Sequence, residues 1–258
     1  MAERKFVAKK VAIVQSNYIP WKGYFDMINS VDEFILCDEV QYTRRDWRNR
    51  NLVKTPKGLE WITVPVETKG NYSASIREIQ IADPTWGRKH WGTIAHNYSR
   101  AAYFRAYRDA LEPAFVGAQD SHLSMLNRRL LELICSLLGI RTPLRWSWEY
   151  GSLPGRNERL VSLCKSANAT IYLSGPSAKS YLDEALFASE GIEVQWMDYS
   201  GYPEYPQLHG PFEHGVTVLD LLFNAGPDPM SYITRRGQRP ESAGTKQAGE
   251  GEIRQRGA

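Results

Sequence analysis

A chain of 258 residues with a formal net charge of +3, 42% apolar and 24% charged residues is long enough to bury a full core and has the composition of an ordinary soluble globular protein. That balance excludes global disorder, and no apolar run reaches the ~18 residues that span a bilayer. The small net charge leaves no global footprint for nucleic acid, so any affinity for anions has to come from local clustering.

The opening residues, MAERKFVAKK, contain no signal-peptide apolar region and lead into a short buried strand at 11–14, so a cytoplasmic location is expected. Next come an amphipathic helix at 23–30 and a second strand at 33–37, a β-α-β start that implies a parallel sheet. Strands are expected at 61–66 and 76–81, joined as a hairpin by the turn-rich Lys69-Gly70-Asn71-Tyr72-Ser73. After Asp83-Pro84 the pattern becomes helical, at 86–98, 103–112 and 121–138. In the third helix Leu126, Leu130, Leu133, Ile134 and Leu137 recur at three- and four-residue spacing, a core stripe that Gly139 terminates.

Alternation of strand and helix then returns, with strands at 144–148, 170–173 and 192–196 and helices at 158–167 and 183–190. A last helix at 216–223 ends near Asn224-Ala225-Gly226. Residues 235–258 are rich in Gly, Arg, Gln and Glu and are expected to form a disordered tail. The expected fold class is therefore α/β, a Rossmann-like, mostly parallel sheet with an additional helical layer. It forms one domain over 1–234 with a helical insertion around 86–138, and no internal repeat interrupts it.

Chemistry concentrates behind the first two strands. The segment QSNYIPWKGYFDMI puts Gln15, Asn17, Tyr18 and Trp21 at the carboxyl end of the first strand, where open α/β sheets hold ligands. Amides there can orient a substrate, while Tyr18 and Trp21 can stack on a ring or simply pack. The segment DEVQYTRRDWRNRN follows the second strand, so its start shares the same sheet edge. Asp38 is the candidate general base or ammonium partner, with Gln41 beside it to orient a hydroxyl or amide.

Arg44, Arg45 and Arg50 are planar donors suited to phosphate or carboxylate, and Trp47 among them can stack on an unpaired base. The bland alternative for this run is a solvated basic loop. Among the histidines, His90 and His96 are six apart and do not make a metal pair. His209 and His214 lie in a late loop that can present an acid/base group to the same cleft, and His209 joins Asp38 and Gln15 as a catalytic candidate.

The turn YLSGPSAKS supplies Ser174 and Gly175 for close approach to a ligand, with Lys179 as a further phosphate contact. It matches neither GxxxxGK[ST] nor GxGxxG, so no nucleotide cofactor is inferred. Cys37, Cys135 and Cys164 stand far apart without a CxxC pair, which fits unpaired thiols and argues against a metal site.

At these residues the chain resembles the WbqC-like family. The resemblance rests on four blocks: Q-x-x-Y-x-P-W-x-G-Y from Gln15, D-x-V-Q-Y-x-[RK]-R from Asp38 with N-R-N behind it, YLSG at Tyr172, and F-x-x-x-x-x-x-L-D-L-L-F-N-x-G from Phe212 to Gly226. Ser16 stands where a proline often follows the glutamine, a departure expected to loosen that turn. The resemblance implies a bacterial protein of sugar-polymer (O-antigen) or natural-product (antibiotic) biosynthesis that transfers an amino acid such as glycine onto an acceptor.

The function expected is an aminoacyltransferase without a cofactor. Its donor would be aminoacyl-tRNA or another activated amino acid, and its acceptor a small molecule or sugar bearing an amine, hydroxylamine or hydroxyl, away from any membrane. An ATP-dependent ligase and a non-catalytic sugar-nucleotide-binding protein stand as alternatives. P-W-x-G-Y faintly resembles a nucleotidylyltransferase signature, but its two histidines are missing.

Overall fold

The computed structural model describes residues 8–151 and 154–233, so the tail expected at 235–258 lies outside the described residues. In chain order, β1 (Lys10–Val14), α1 (Lys22–Asn29) and β2 (Glu33–Leu36) form the β-α-β start. β3 (Arg50–Thr55) and β4 (Gly58–Thr63) form an antiparallel hairpin. Three helices follow: α2 (Trp86–Tyr98), α3 (Phe104–Val116) and α4 (Leu123–Leu138). The chain then runs through β5 (Leu144–Trp146), α5 (Asn157–Ser166), β6 (Ile171–Ser174), α6 (Glu184–Ser189), β7 (Glu193–Trp196) and α7 (Val218–Ala225).

The main sheet has the order β5-β2-β1-β6-β7, with every neighbouring pair parallel. The central strands β1 and β2 are buried on both faces because helices cover both. Successive residues serve opposite layers: Ala12, Phe34 and Leu36 join one apolar cluster with α1, α2, α3, α4 and α7, while Val11, Ile13 and Ile35 join another with α5 and α6. The expected leucine stripe of α4 faces the first cluster, and Gly139 at φ 72° closes the helix in the left-handed conformation that glycine adopts without strain. Cys37, Cys135 and Cys164 are free and buried. Among the described residues no helix is long and apolar enough to cross a membrane.

The hairpin departs from expectation. Residues 61–63 pair back onto β3, not forward onto 76–81, and Ile76–Glu78 is a 3-10 turn; Val66 and Ile81 meet only in an isolated bridge. Arg50 and Lys54 disguise β3 as a basic loop. In the fold Lys54 is buried, and its ammonium donates to Gln207 Oε1 at 2.8 Å and to the Pro211 carbonyl at 2.5 Å. A charge that looks solvated in sequence is therefore satisfied by a segment more than 150 residues away.

The stretch 199–214 is fastened over the start of α1. Lys22 is 1% exposed, and its ammonium lies 5.2 Å from the ring centres of Tyr202 and Tyr205 and 5.6 Å from that of Phe212 while donating to the Pro203 carbonyl at 3.1 Å. The same stretch is pinned to α7 by Asp220, which accepts from Tyr205 Oη at 2.9 Å, Gln207 Nε2 at 2.7 Å and, from α2, Tyr98 Oη at 3.0 Å.

Burial pushes the Lys22 pKa down to about 8 from 10.5, against the attraction of Asp220 and Glu204. The folded state therefore gives up this proton before the unfolded state does, and the contribution of Lys22 to stability rises with pH across that window. Chemical denaturation of wild type and Lys22→Met at pH about 7 and about 10 is expected to show the wild type gaining relative to the variant as pH rises. A pH-independent difference between the two would mean that this ammonium is not desolvated.

Candidate functional site

The carboxyl ends of β1, β2 and β6 surround a cavity of about 760 Å³. It lies where the sheet order reverses, since β1 is followed by β2 on one side and flanked by β6 on the other. Gln15, Asn17 and Trp21 enter from behind β1, Gln41 from behind β2, and Ser174 and Gly175 from the end of β6, so six candidates from the sequence meet in one place. Trp21, Tyr24, Met27, Tyr172 and Tyr199 add apolar wall. Trp21 is set edge-on to Tyr199, with ring centres 5.1 Å apart. Gly23 makes room for that indole: a Cβ on residue 23 would lie 2.3 Å from the Trp21 ring.

The charge of the wall is one-sided. Arg48, Arg156 and Arg159 line it, and no aspartate or glutamate does among the described residues. Arg48 donates to Asn17 Oδ1 and stands 3.7 Å from the Asp46 carboxylate, which braces its guanidinium from outside the cavity. The Arg156 guanidinium lies 4.5 Å from the ring centre of Tyr181, another lining residue. Such a wall selects phosphate or carboxylate over cations.

Asp38 sits at the expected sheet edge but does not line this cavity. It is 0% exposed; Oδ1 accepts from the Ser16 N–H at 2.8 Å and Oδ2 from Ser16 Oγ at 2.7 Å. Burial pushes its pKa up while the Ser16 bonds pull it back. The geometry is that of an anchor. The looser turn expected at Ser16 is not found, because the serine is tied through backbone and side chain and its Oγ also accepts from Asn127 Nδ2 at 3.0 Å. Asn127 Nδ2 in addition reaches the Arg48 carbonyl at 2.9 Å, so one buried network sets both Gln15-Asn17 and Arg48.

Other candidates are placed elsewhere. Tyr18 is fully buried, its Oη 2.7 Å from His90 Nδ1, and packs on Trp86. His209 has φ 67°, its Nε2 is 3.0 Å from the Asn97 carbonyl, and it does not line this cavity. Behind Ser174-Gly175 only a five-residue 3-10 helix, Pro176–Ser180, begins, and the Lys179 ammonium lies 5.5 Å from the Trp196 ring centre.

Arg44 and Arg45 are exposed on the loop before β3 and do not enter the large cavity. Arg50 lies 4.0 Å over the ring of Trp61, which is 5.1 Å from Trp47. Trp47 itself borders a second cavity of about 340 Å³ with Asn17, Pro20, Trp21, Asn51, His214 and Gly215.

The residues that sequence reasoning left out of the site are Arg48, Arg156 and Arg159. Arg48 belongs to the same basic run as Arg45, and the available signal was its place two residues from Asp46. Arg156 and Arg159 lie three apart at the start of α5, where they look like solvated helix charges.

The model of the WbqC-like protein family matches residues 15–232 of this chain. The uncharacterised protein Rv1507c of Mycobacterium tuberculosis is 55% identical over 225 residues, covering 87% of this chain and 97% of that protein. No solved structure matches the chain.

Removing the anchor tests the geometry. Asp38→Ala leaves the buried Ser16 N–H and hydroxyl without their acceptor, and the free energy of unfolding in urea is expected to fall by about 1–3 kcal/mol. Unchanged stability would show that the carboxylate does not fasten this turn.

Proposed function

The chain belongs to the WbqC-like protein family, and from that premise we propose that it is an aminoacyltransferase whose acceptor binds as an anion in the cavity at the ends of β1, β2 and β6. The observation that carries this reading is the wall of three arginines without a carboxylate among the described residues. Guanidinium forks fit phosphate or carboxylate groups in pairs of hydrogen bonds, as on a nucleotide-linked sugar or an acidic biosynthetic intermediate. Gln15, Gln41 and Ser174 are the neutral hydrogen-bonding groups that orient the rest of the acceptor.

The acceptor nitrogen or oxygen forms the new bond to the ester carbonyl of the donor. The ester C–O bond breaks, and the acceptor proton ends on the released hydroxyl. Orientation of two substrates supplies much of the rate in such a reaction. Asp38 serves as the positioning residue of the Gln15–Asn17 turn. The donor in this reading is aminoacyl-tRNA, because the sequence has no loop motif for making its own adenylate. Exposed Arg44 and Arg45, with Arg50 and Trp47 beside them, face solvent where such a donor would arrive.

The same wall also carries no histidine among the described residues, which favours a non-catalytic sugar-nucleotide-binding protein as the second reading. Purified protein supplied with labelled aminoacyl-tRNA and candidate amines or hydroxyls is expected to label the acceptor without ATP. Pyrophosphate release from free amino acid and ATP would replace this reading with a ligase, and tight sugar-nucleotide binding without either reaction would replace it with the binding protein. Arg156→Ala is expected to raise the acceptor KM about tenfold while kcat changes little, the signature of lost ground-state binding to an anion. An unchanged KM would remove Arg156 from the acceptor site.

A further inference from the structure

The large cavity and the smaller one behind Trp47 share two lining residues, Asn17 and Trp21. Their chemistry differs sharply. The large cavity is cationic, whereas no charged residue lines the small one among the described residues; its walls are the indoles of Trp21 and Trp47, with Asn17 and His214 as polar edges.

Two indoles around a volume of about 340 Å³ suit a flat heteroaromatic ring with its sugar. His214 adds a neutral edge. Burial pushes its pKa down, Lys22 acts in the same sense, and Glu204 and Glu213 oppose them. The uncharged imidazole can both donate and accept hydrogen bonds.

Outside this cavity the surface alternates cations and rings. Trp47 is 42% and Trp61 44% exposed, Arg50 covers Trp61, and Arg44 lies 5.2 Å over Tyr72, which is 69% exposed. A single nucleic-acid strand matches that sequence of contacts, with phosphates against guanidinium groups and bases against ring faces. A free nucleotide would need the cavity but not the ledge.

We infer that the small cavity seats the 3′-terminal nucleoside of a single-stranded nucleic acid lying along the Arg44–Tyr72 and Trp47–Trp61–Arg50 ledge. The site rests on the aminoacyl-transfer reading above and gives it a geometry. The terminal ribose, bearing the amino acid as an ester, lies at the partition formed by Asn17 and Trp21, and the acceptor approaches from the arginine-lined side. Arg48, hydrogen-bonded to Asn17, links the anion site to that partition. The two substrates thus enter by different cavities and meet at one wall.

The test is fluorescence anisotropy with a short single-stranded RNA ending in CCA, labelled at its 5′ end, against the same RNA with an abasic 3′-terminal residue. Wild-type protein is expected to bind the intact end about tenfold more tightly. Trp47→Ala is expected to abolish that preference, and Trp47→Phe to retain most of it.

Equal affinity of the wild type for both ends would overturn the site, as would a preference that survives Trp47→Ala. Displacement of the RNA by ATP at matching concentrations would assign the cavity to a free nucleotide and overturn the strand. Acceptor labelling without any end preference would sink this site and leave aminoacyl transfer standing. End preference without labelling would do the reverse.

Discussion

The hydrogen bonds from Ser16 to the buried Asp38 carboxylate are the constraint on which the site depends. They tie the end of β1 to the end of β2 at the point where both strands leave the sheet. A carboxylate with no exposure is costly unless its oxygens are occupied, and the Ser16 N–H and hydroxyl occupy one each. Asn127 of α4 extends the network to the Arg48 carbonyl, and Asn51 of β3 holds the Tyr18 and Ile19 carbonyls at 3.1 and 2.9 Å. The helical layer and the hairpin therefore do more than cover the sheet: each contributes one amide that fixes the loop from Gln15 to Trp21.

With that loop fixed, Asn17 and Trp21 stand as a wall with different chemistry on either side. Three guanidinium groups on one side make an environment for an anion, and two indoles on the other make one for a ring. The separation has a physical logic. A guanidinium placed in the larger cavity can be braced by hydrogen bonds and a carboxylate, as Arg48 is by Asn17 and Asp46. The stretch 199–214, clamped by Lys22 and Asp220, brings Tyr199 and His214 to the two sides of the same wall.

How far the sequence could be read follows from the range of the interactions involved. The β-α-β start, the three central helices and the later alternation of strand and helix, the core stripe of α4 with its Gly139 cap, and the parallel sheet edge bearing Gln15 and Gln41 all depend on local periodicity and short connections. The hairpin was missed because Lys54 looks solvated until Gln207 and Pro211 reach it. Asp38 reads from sequence as a candidate base at a strand end, and an accessible base and a buried anchor look alike until the partner at Ser16 is seen.

By itself the sequence determined a mostly parallel α/β sheet, which edge of it carries the cavity, and membership of the family through four ordered blocks, because each is encoded in neighbours along the chain. Tertiary structure alone decided which arginines face the cavity. Arg44 and Arg45 are exposed on the loop before β3, while Arg48 joins Arg156 and Arg159, more than 100 residues away, in lining the cavity. Charge can be counted along a chain, but the direction of a side chain is set by what packs behind it. Here that backing is a carboxylate, a serine and two asparagines brought together from four separate segments.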